Sequence, residues 1–429
     1  MSYLIKAATL SDGAVVDILI ADGKIARVAP DIQESNSQII EASGLRALSG
    51  LVDLHTHLRE PGREDSETIA SGSLAAVRGG YTALSAMANT SPVADTAGVV
   101  EQVFRLGQAA GLCDVFPIGA VTQGLLGEQL AEIGAMATSS AKVRIFSDDG
   151  KCVSNALVMR RALEYVKSFN GIIAQHAQEP TLTVDAQMNE GEISSQLGLK
   201  GWPAIAEEAI IARDILLAEH VGSRLHICHL TTAGGVELVR WAKSRGINVT
   251  AEVTPHHLLL TDESVLGYDA VFKVNPPLRT EADVHALRAG LADGTIDIVA
   301  TDHAPHPSED KDCEWQAAAF GMLGLETALS VLVSTMVETQ MLDWAHLERV
   351  MSHNPARIAG YESHGHPISE GKTANLILVD PSAKRVIDRN KMASKSRNTP
   401  YDGLTLPAVV THTFFNGALV HEVDRGAAK

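Results

Sequence analysis

Hydrophobic and polar positions follow two patterns along the chain. Between about residue 50 and residue 360, short apolar runs alternate with longer stretches rich in Ala, Glu and Leu, such as 203–219. This alternation is typical of a parallel sheet with crossover helices. Eight candidate strands lie over 48–54, 82–88, 114–121, 142–147, 171–175, 224–228, 247–253 and 296–301. Eight strands over about 310 residues predict an α/β fold, a (β/α)8 barrel of the TIM type.

The two ends of the chain have a different pattern, in which short apolar runs are separated by Gly and Asp. Val15–Ile20 precedes Asp22-Gly23, and Asp-Gly between two β-prone runs indicates a hairpin. Similar runs recur over 374–380 and 414–420. We expect residues 1–49 and 363–429 to form one small β-sandwich-like domain, and residues 50–362 to form the barrel. Two separate β elements are the alternative.

Composition excludes several classes of function. Hydrophobic residues make up 45% of the chain, enough for a sizeable core, and the formal net charge is −17. So acidic a chain is a poor binder of nucleic acid or of an anionic membrane surface. The four cysteines are scattered with no C-x-x-C pair, and no run of 18 apolar residues occurs. We therefore expect a cytoplasmic protein without disulfides or membrane spans.

Polar, metal-competent side chains follow seven of the eight candidate strands. They are Asp53-Leu54-His55-Thr56-His57, Asn89, Asp148-Asp149, His176, His229, His256-His257 and Thr301-Asp302-His303. Barrel enzymes place their chemistry at the carboxyl ends of several strands. The pattern therefore indicates an active site at this end of the barrel.

Five of these side chains predict a metal centre. His55 and His57 are two residues apart on a strand, so both rings face the same side. His176, His229 and Asp302 end three later strands. Imidazoles combined with carboxylates suit zinc or a similar divalent ion. Five ligands exceed one tetrahedral zinc, which favours two ions that share a bridging anion.

The run Asp53-Leu-His-Thr-His-Leu-Arg-Glu-Pro-Gly62 resembles the signature of class I dihydroorotases in the cyclic amidohydrolase superfamily. The single histidines His176 and His229, and the runs 300–306 and 371–376, also resemble this family. The resemblance implies a two-zinc barrel that interconverts N-carbamoyl-L-aspartate and L-dihydroorotate with release of water, the third step of de novo pyrimidine biosynthesis. It implies that Asp302 is the catalytic residue, which carries a proton between an activated water and the ring nitrogen.

The residue that bridges the two metals has three candidates. In class I dihydroorotases an aspartate from a turn similar to Phe146-Ser147-Asp148-Asp149-Gly150 has this role, and the resemblance favours Asp149. Asp148 and a carboxylated Lys142 remain alternatives.

The substrate carries a carboxylate, which needs a cationic partner. Arg59, two residues beyond His57, can bind it with two parallel hydrogen bonds. The resemblance implies further substrate contacts at His57, Leu58, Asn89, Asn275, His306, Phe320 and Gly321. The polar segment 306–315 is a candidate lid over the barrel mouth, with a solvated connector as the alternative.

Two positions depart from the family pattern. Ala177-Gln178 replaces a common Cys-Glu pair, and Cys228 precedes His229 where a small hydroxyl residue is frequent. Strand alternation predicts that Cys228 faces away from His229 as a buried apolar residue.

Competing functions are a hydantoinase, dihydropyrimidinase or allantoinase, and a non-catalytic homologue that serves as a scaffold. Arg59 argues against the first group because their substrates differ in charge, and the complete ligand set argues against the second. The expected protein partners are a second copy of this chain, in a homo-oligomer, and aspartate transcarbamoylase.

Overall fold

The computed structural model describes residues 2–423, so residue 1 and residues 424–429 of the predicted composite β domain lie outside the described part. The chain has the predicted α/β class. Its strands are β1 (Tyr3–Thr9), β2 (Val15–Ala21), β3 (Lys24–Ala29), β4 (Gln38–Glu41), β5 (Arg46–Ser49), β6 (Leu51–Thr56), β7 (Tyr81–Ala86), β8 (Asp114–Pro117), β9 (Ile145–Phe146), β10 (Ile172–Gln175), β11 (Met188–Asn189), β12 (Gly201–Trp202), β13 (Arg224–Ile227), β14 (Val249–Val253), β15 (Ile298–Val299), β16 (Leu376–Val386), β17 (Thr405–Phe415) and β18 (Ala418–Glu422).

Helices occupy most of the connections between the central strands. They are α1 (Ile69–Gly79), α2 (Ala97–Ala110), α3 (Ile133–Thr138), α4 (Ala156–Lys167), α5 (Glu192–Leu197), α6 (Ile205–Val221), α7 (Ala233–Ser244), α8 (Pro255–Leu259), α9 (Glu281–Ala292), α10 (Ser308–Lys311), α11 (Ala328–Leu332), α12 (Trp344–Glu348) and α13 (Asn354–Ala359). Helix α6 confirms the helix predicted over 203–219. It has Glu207 and Glu208 in its first turn and ends at Gly222, whose φ of 68° is left-handed.

The eight predicted strands of the middle region are all present and parallel, and they pair in chain order. One sheet contains β6, β7 and β8, and a second contains β9, β10, β13, β14 and β15. Parallel bridges join the two sheets at both ends, from Gly119 to Phe146 and from Thr56 to His303. Each of the eight strands therefore has a neighbour on both sides, and all their carboxyl ends lie at one end of the molecule.

Hydrophobic side chains cover both faces of these strands, which explains why the strands read as continuous apolar runs. Leu84, Ile173 and Val253 belong to the large cluster that includes the surrounding helices. Val52 and Ile298 belong to a second cluster with residues of the neighbouring strands. Buried layers on both sides hold the strand ends, and therefore the side chains that follow them, in fixed positions.

Both ends of the chain contribute to one eight-stranded sheet. Its order is β18-β17-β16-β5-β1-β2-β3, and β4 pairs with β1. The predicted hairpin joins β2 to β3, with positive φ at Asp22 (50°) and Gly23 (76°). Positive φ at both central residues fits the primed turns of two-residue hairpins, for which Asp-Gly is well suited. Among residues 2–423 no helix is both long and apolar enough to cross a membrane.

Candidate functional site

Six side chains from five strand ends meet in one buried cluster. Each lies at, or within three residues after, the carboxyl end of β6, β9, β10, β13 or β15, and each is at most 5% exposed. They are His55, His57, Asp149, His176, His229 and Asp302. The structure therefore brings together all six residues predicted as metal ligands.

The Asp149 carboxylate lies between two pairs of imidazole rings. Its Oδ2 atom is 3.4 Å from Nε2 of His55 and 3.3 Å from Nε2 of His57. Its Oδ1 atom is 3.2 Å from Nδ1 of His176 and 3.2 Å from Nε2 of His229. One carboxylate in contact with both pairs has the arrangement expected of a bridging ligand.

Asp302 faces the first pair of histidines. Its Oδ1 atom is 3.0 Å from Nε2 of His57 and 3.5 Å from Nε2 of His55. The backbone of Asp302 is left-handed, with φ of 46°. Such a conformation is costly for residues other than Gly and is commonly found at functional sites. Here it occurs three residues after β15 ends, where the chain turns the carboxylate toward the cluster.

The donor set fits divalent cations. The candidate ligand atoms of His55, His57 and Asp302 lie within 4.8 Å of one another, as do those of Asp149, His176 and His229. Nε2 of His55 is buried, and no residue of the described range 2–423 forms a hydrogen bond with it. A buried ring nitrogen without a partner is unusual, and a metal ion would satisfy it.

The charges in the cluster favour an ionised Asp302 and a protonated His55 when no cation is bound. Burial disfavours the Asp302 carboxylate, but His55 and His57 outweigh this effect and lower the pKa of Asp302 to about 2. Burial also disfavours a charged His55, but the carboxylates of Asp149 and Glu252 raise its pKa. A cation with imidazole ligands would displace those protons.

The two alternatives to Asp149 are not in the cluster. The Asp148 carboxylate accepts hydrogen bonds from the backbone N–H groups of Val121 (2.8 Å) and Thr122 (3.0 Å) and from the Thr122 hydroxyl. Lys142 is exposed and precedes β9, whereas Asp149 follows it. Lys142 lines a different cavity, of about 650 Å³. Asp148 supports a loop, and Lys142 lies at the opposite end of the strand.

A buried glutamate that the motifs did not reveal holds two of the histidine segments. Nδ1 of His55 is 2.5 Å from Oε1 of Glu252 on β14, and the backbone N–H of His229 donates to the same oxygen (3.1 Å). Nε2 of His226 is 3.0 Å from the other oxygen. The signal in the sequence is a single acidic residue inside the buried run 249–253.

A second buried carboxylate, Asp53, joins the first and last strands of the central region. It accepts hydrogen bonds from the backbone N–H of His55 (3.0 Å) and from the backbone N–H (3.1 Å) and hydroxyl (2.5 Å) of Thr301. Burial raises the pKa of Asp53 to about 7. Asp53 thereby fixes the backbone beside His55 and beside Asp302.

Above the cluster lies a cavity of about 220 Å³. Its lining consists of His57, Arg59, Asn89, Asp149, Gly150, His176, Asn275, Asp302, Ala304, His306, Phe320 and Gly321. Seven of the eight predicted substrate contacts are in this lining. Leu58 is the exception, because its side chain packs in the hydrophobic core. A contact between substrate and Leu58 would have to use the backbone.

Arg59, which is cationic, and His306 lie together on one side of this cavity. Nε of Arg59 donates to the Pro305 carbonyl (3.0 Å), and Nη2 lies 3.2 Å from Nε2 of His306. Nε2 of His306 is also 2.8 Å from the Phe320 carbonyl, which can only accept, so this nitrogen carries the proton. It cannot also accept from Arg59. The outer guanidinium nitrogens of Arg59 therefore keep donors for a ligand.

Burial lowers the pKa of both side chains, but at neutral pH it leaves Arg59 charged and His306 uncharged. It lowers the pKa of Arg59 to about 10, which leaves the guanidinium charged at neutral pH. Burial, together with the charge of Arg59, lowers the pKa of His306 to about 2, so the imidazole is neutral.

Amide side chains orient two of the histidines. Oδ1 of Asn89 is 2.8 Å from Nδ1 of His57, and Oε1 of Gln178 is 2.9 Å from Nε2 of His176. Amide oxygens only accept, so the ring nitrogen that faces the amide carries a proton, and the opposite ring nitrogen is available to a cation. Gln178, which departs from the family pattern, thus orients His176. Asn275 donates to Oε1 of Gln178 (3.3 Å), and its own buried Oδ1 has no hydrogen-bond partner among the described residues.

The predicted orientation of Cys228 is wrong. The residue is buried, as expected, but its sulfur belongs to a group with ligand atoms of His55 and Asp149 that lie within 4.8 Å of one another. Strand alternation does not extend this far, because β13 ends at Ile227 and His229 has φ of 30°. Burial raises the pKa of the Cys228 thiol, which favours the protonated form.

The pair His256-His257 at the seventh strand end is not among the ligand groups of the described residues. Both residues lie in α8, and Nε2 of His257 faces the carbonyls of Pro276 (3.2 Å) and Pro277 (3.3 Å). Burial lowers the pKa of His256 to about 4. His257 supports the loop after Asn275 instead of binding a metal.

The predicted lid segment, 306–315, contains α10. Lys311 donates to the carbonyls of Ala270 (3.0 Å) and Lys273 (2.9 Å), and Asp310 pairs with Arg63 (3.1 Å). These contacts attach the segment to two neighbouring loops. A gating role stays a prediction.

The chain is similar to proteins of known family along nearly its whole length. A family model described as "Dihydro-orotase-like" matches residues 45–234. A protein of Streptomyces coelicolor named dihydroorotase is 65% identical over 414 residues, which cover 96% of this chain and 97% of the relative. Dihydroorotases of Leifsonia xyli (64% over 416 residues; 97% and 95% covered) and Mycobacterium tuberculosis (54% over 419 residues; 97% and 97% covered) are also similar.

Solved structures of cyclic amidohydrolases share the fold. L-hydantoinase (dihydropyrimidinase) from Arthrobacter aurescens superposes with a TM-score of 0.87 at 25% identity and covers 98% of this chain and 96% of its own. Dihydropyrimidinase from Brevibacillus agri superposes with a TM-score of 0.86 at 21% identity. The superposition covers 98% of this chain and 95% of the dihydropyrimidinase chain. The second similarity, at 21% identity, concerns the fold alone.

Proposed function

The chain belongs to the dihydroorotase family, and from this premise we propose that it catalyses the reversible cyclisation of N-carbamoyl-L-aspartate to L-dihydroorotate with release of water, the third step of de novo pyrimidine biosynthesis. One observation carries this proposal above all. The half-buried, charged Arg59 lines the same cavity of about 220 Å³ as the carboxylates of Asp149 and Asp302. A cyclic amide with its own carboxylate fits a cavity with a cation on one side and metal ligands on the other.

We propose that the cluster holds two zinc ions. His55, His57 and Asp302 would bind one ion, His176 and His229 the other, and Asp149 both. This assignment is supported by the ligand atoms within 4.8 Å of one another and by the unpartnered Nε2 of His55. When bound, the cations would lower the pKa of the attacking water and polarise the ring carbonyl.

Asp302 is the proton carrier in this proposal. Its carboxylate is ionised at neutral pH, because its pKa is lowered to about 2, and it can therefore accept a proton. In the hydrolytic direction an Asp302 oxygen accepts a proton from the attacking water. It then delivers that proton to the ring amide nitrogen as the carbon–nitrogen bond breaks. In the biosynthetic direction Asp302 takes the proton from the carbamoyl nitrogen and returns it to the departing water.

The remaining residues of the cavity bind and orient the substrate. Arg59 would bind the substrate carboxylate with the guanidinium donors that His306 cannot accept. Asn89, Asn275 and His306 would complete the contacts with the carboxylate and the ring amide. Phe320 and Gly321 would contribute backbone groups.

We propose that the eight central strands form a closed (β/α)8 barrel and that residues 50–362 are the catalytic domain. The pairing in chain order and the two bridges between the sheets support the barrel. Residues 1–49 and 363–429 would form the composite β domain, supported by the sheet to which both ends contribute. Cytoplasmic location, a homo-oligomer and an association with aspartate transcarbamoylase stay predictions.

A hydantoinase or dihydropyrimidinase activity is the second candidate, favoured by the solved structures that share the fold. The two activities can be separated with four substrates offered one at a time to the metal-loaded enzyme: L-dihydroorotate, hydantoin, dihydrouracil and allantoin. We expect a decrease in ultraviolet absorbance with L-dihydroorotate and much slower hydrolysis of the neutral rings. Faster hydrolysis of any neutral ring would overturn the proposal. A metal analysis of the same sample would show whether an inactive preparation simply lacked its ions.

A further inference from the structure

A side chain far along the chain from the active-site motifs holds one wall of the cavity in place. This wall, formed by Arg59 and His306, is the one that would bind the substrate carboxylate. Asn398 lies between β16 and β17, outside the eight central strands, and is 5% exposed. Its Oδ1 accepts a hydrogen bond from the backbone N–H of His306 (3.1 Å). Its Nδ2 donates to the carbonyls of Ala304 (2.9 Å) and Gly321 (3.1 Å). Both hydrogens and the oxygen of this amide are therefore used.

The three backbone partners of Asn398 belong to two separate segments that line the cavity. Ala304 and His306 follow β15, and Gly321 lies beyond the predicted lid segment. The backbone of Asn398 continues the contact, because its carbonyl accepts from the N–H of Leu323 (3.1 Å). Asn398, which lies in a third segment of the chain, therefore joins the two segments that line the cavity.

The two segments that Asn398 joins are packed closely against each other. A Cβ atom on Gly321 would lie 2.8 Å from Cβ of Ala304 and 2.8 Å from Nε2 of His306. Gly321 also has φ of 144°, which other residues rarely adopt. Loss of the Asn398 side chain would leave three buried backbone groups without partners, and such groups are costly.

The position of Arg59 depends on residues 304–306, which belong to one of these two segments. Nε of Arg59 donates to the carbonyl of Pro305, which lies between Ala304 and His306. The His306 ring is held by its own backbone and by the Phe320 carbonyl (2.8 Å). A shift of residues 304–306 would therefore move the guanidinium and the imidazole together.

We propose that Asn398 is a positioning residue for binding of the substrate carboxylate. This inference rests on the proposed function, since it concerns the wall that would bind that carboxylate. Within the described part of the chain, Asn398 is not in the lining of the 220 Å³ cavity, and its hydrogen bonds reach none of the six candidate metal ligands. It acts through the backbone of His306 and Gly321, and through Pro305 on Arg59.

Asn398→Ala, with Asn375→Ala as its matched control, tests the proposal. Asn375 is also buried (8% exposed), and its amide likewise donates to a backbone carbonyl, that of Ser363 (3.0 Å), and accepts from a backbone N–H, that of Asn416 (2.7 Å). It lies beside the terminal sheet and does not line the cavity.

For Asn398→Ala we expect KM for L-dihydroorotate to rise at least about tenfold while kcat changes less than about threefold, because binding is weakened and the proton carrier is untouched. The metal content should equal that of the wild-type enzyme. Asn375→Ala should lose thermal stability without this change in KM. An unchanged KM in Asn398→Ala, or the same rise in both variants, would overturn the proposal.

A measurement on the unmodified enzyme covers the case in which Asn398→Ala does not fold. The His306 amide should exchange its hydrogen slowly, because Asn398 accepts it in a buried position. Exchange at the rate of an unprotected amide would overturn the proposal. If the wild-type enzyme fails to turn over L-dihydroorotate, the proposed function fails, whereas the exchange result still reports on Asn398 alone.

Discussion

Nδ1 of His55 lies 2.5 Å from a carboxylate oxygen of Glu252, so the ring presents Nε2 to Asp149 and Asp302. A hydrogen bond that the outer N–H of a metal-binding histidine donates to a carboxylate fixes the ring and raises its basicity. Glu252 also holds the backbone N–H of His229 (3.1 Å). One buried side chain therefore orients a ligand of each proposed metal position.

Glu252→Gln should weaken metal binding without removing a ligand. The amide has only one accepting oxygen, and its NH2 group would face a nitrogen donor. We expect metal affinity to fall about 10–100-fold, as for comparable partners of ligand histidines. Glu207→Gln is the control, because Glu207 is equally buried and accepts from the backbone N–H groups of Thr231 (2.9 Å) and Thr232 (3.1 Å). Metal content after dialysis against a graded series of chelator concentrations measures the effect. Equal retention in both variants would contradict this role.

Asp149→Ala should lower metal content and activity together, because Asp149 is the carboxylate in contact with both histidine pairs. Lys142→Ala should keep the metal, since Lys142 is exposed and precedes β9. Metal analysis of the two purified variants distinguishes them. Full metal content in Asp149→Ala would move the bridging role to another residue.

Arg59→Met should keep the metals, because the guanidinium is not a ligand. A charge-assisted hydrogen bond is worth about 1.5–3 kcal/mol, so kcat/KM for L-dihydroorotate should fall by at least about tenfold. Hydrolysis of dihydrouracil, which has no carboxylate, should fall far less. Both substrates should be assayed with one enzyme preparation of known metal content. Equal losses on both rings would mean that Arg59 supports the architecture of the site and does not select the substrate.

His306 should stay neutral throughout the range in which a free histidine titrates. Burial and the charge of Arg59 lower its pKa to about 2, below the unfolded value of about 6.5. The unfolded chain therefore binds one more proton below pH 6.5, and stability falls as the pH decreases. We expect His306→Gln to reduce this slope between pH 4 and 6 by up to about 1.4 kcal/mol per pH unit. Denaturant unfolding at several pH values measures it. An identical slope, or a nitrogen NMR signal of His306 that titrates near pH 6.5, would refute the assignment.

The eight central strands could be predicted from the sequence because both of their faces are buried. Such strands produce short apolar runs, and the polar residues after them mark the strand ends. The positions of the clustered histidines could be predicted for the same reason. The rule of alternation failed at Cys228, where β13 had already ended and the backbone of His229 turned to positive φ.

Residues that act through other residues could not be predicted from the motifs. Glu252 is a single acid in an apolar strand, and only the fold shows that it faces His55 and His226. Asn398 lies 92 residues from His306 and belongs to no motif. Its partners are backbone groups, which the sequence does not distinguish.

The most direct test of the proposed reaction is to follow it by NMR in both directions with one metal-loaded preparation of the enzyme. One sample begins with N-carbamoyl-L-aspartate and the other with L-dihydroorotate, at the same total concentration and pH. We expect both samples to reach the same ratio of the two compounds, and we expect Asp302→Asn to slow both approaches by a similar factor. No conversion in either sample while the metals are bound, or undiminished conversion by Asp302→Asn, would contradict the proposed reaction.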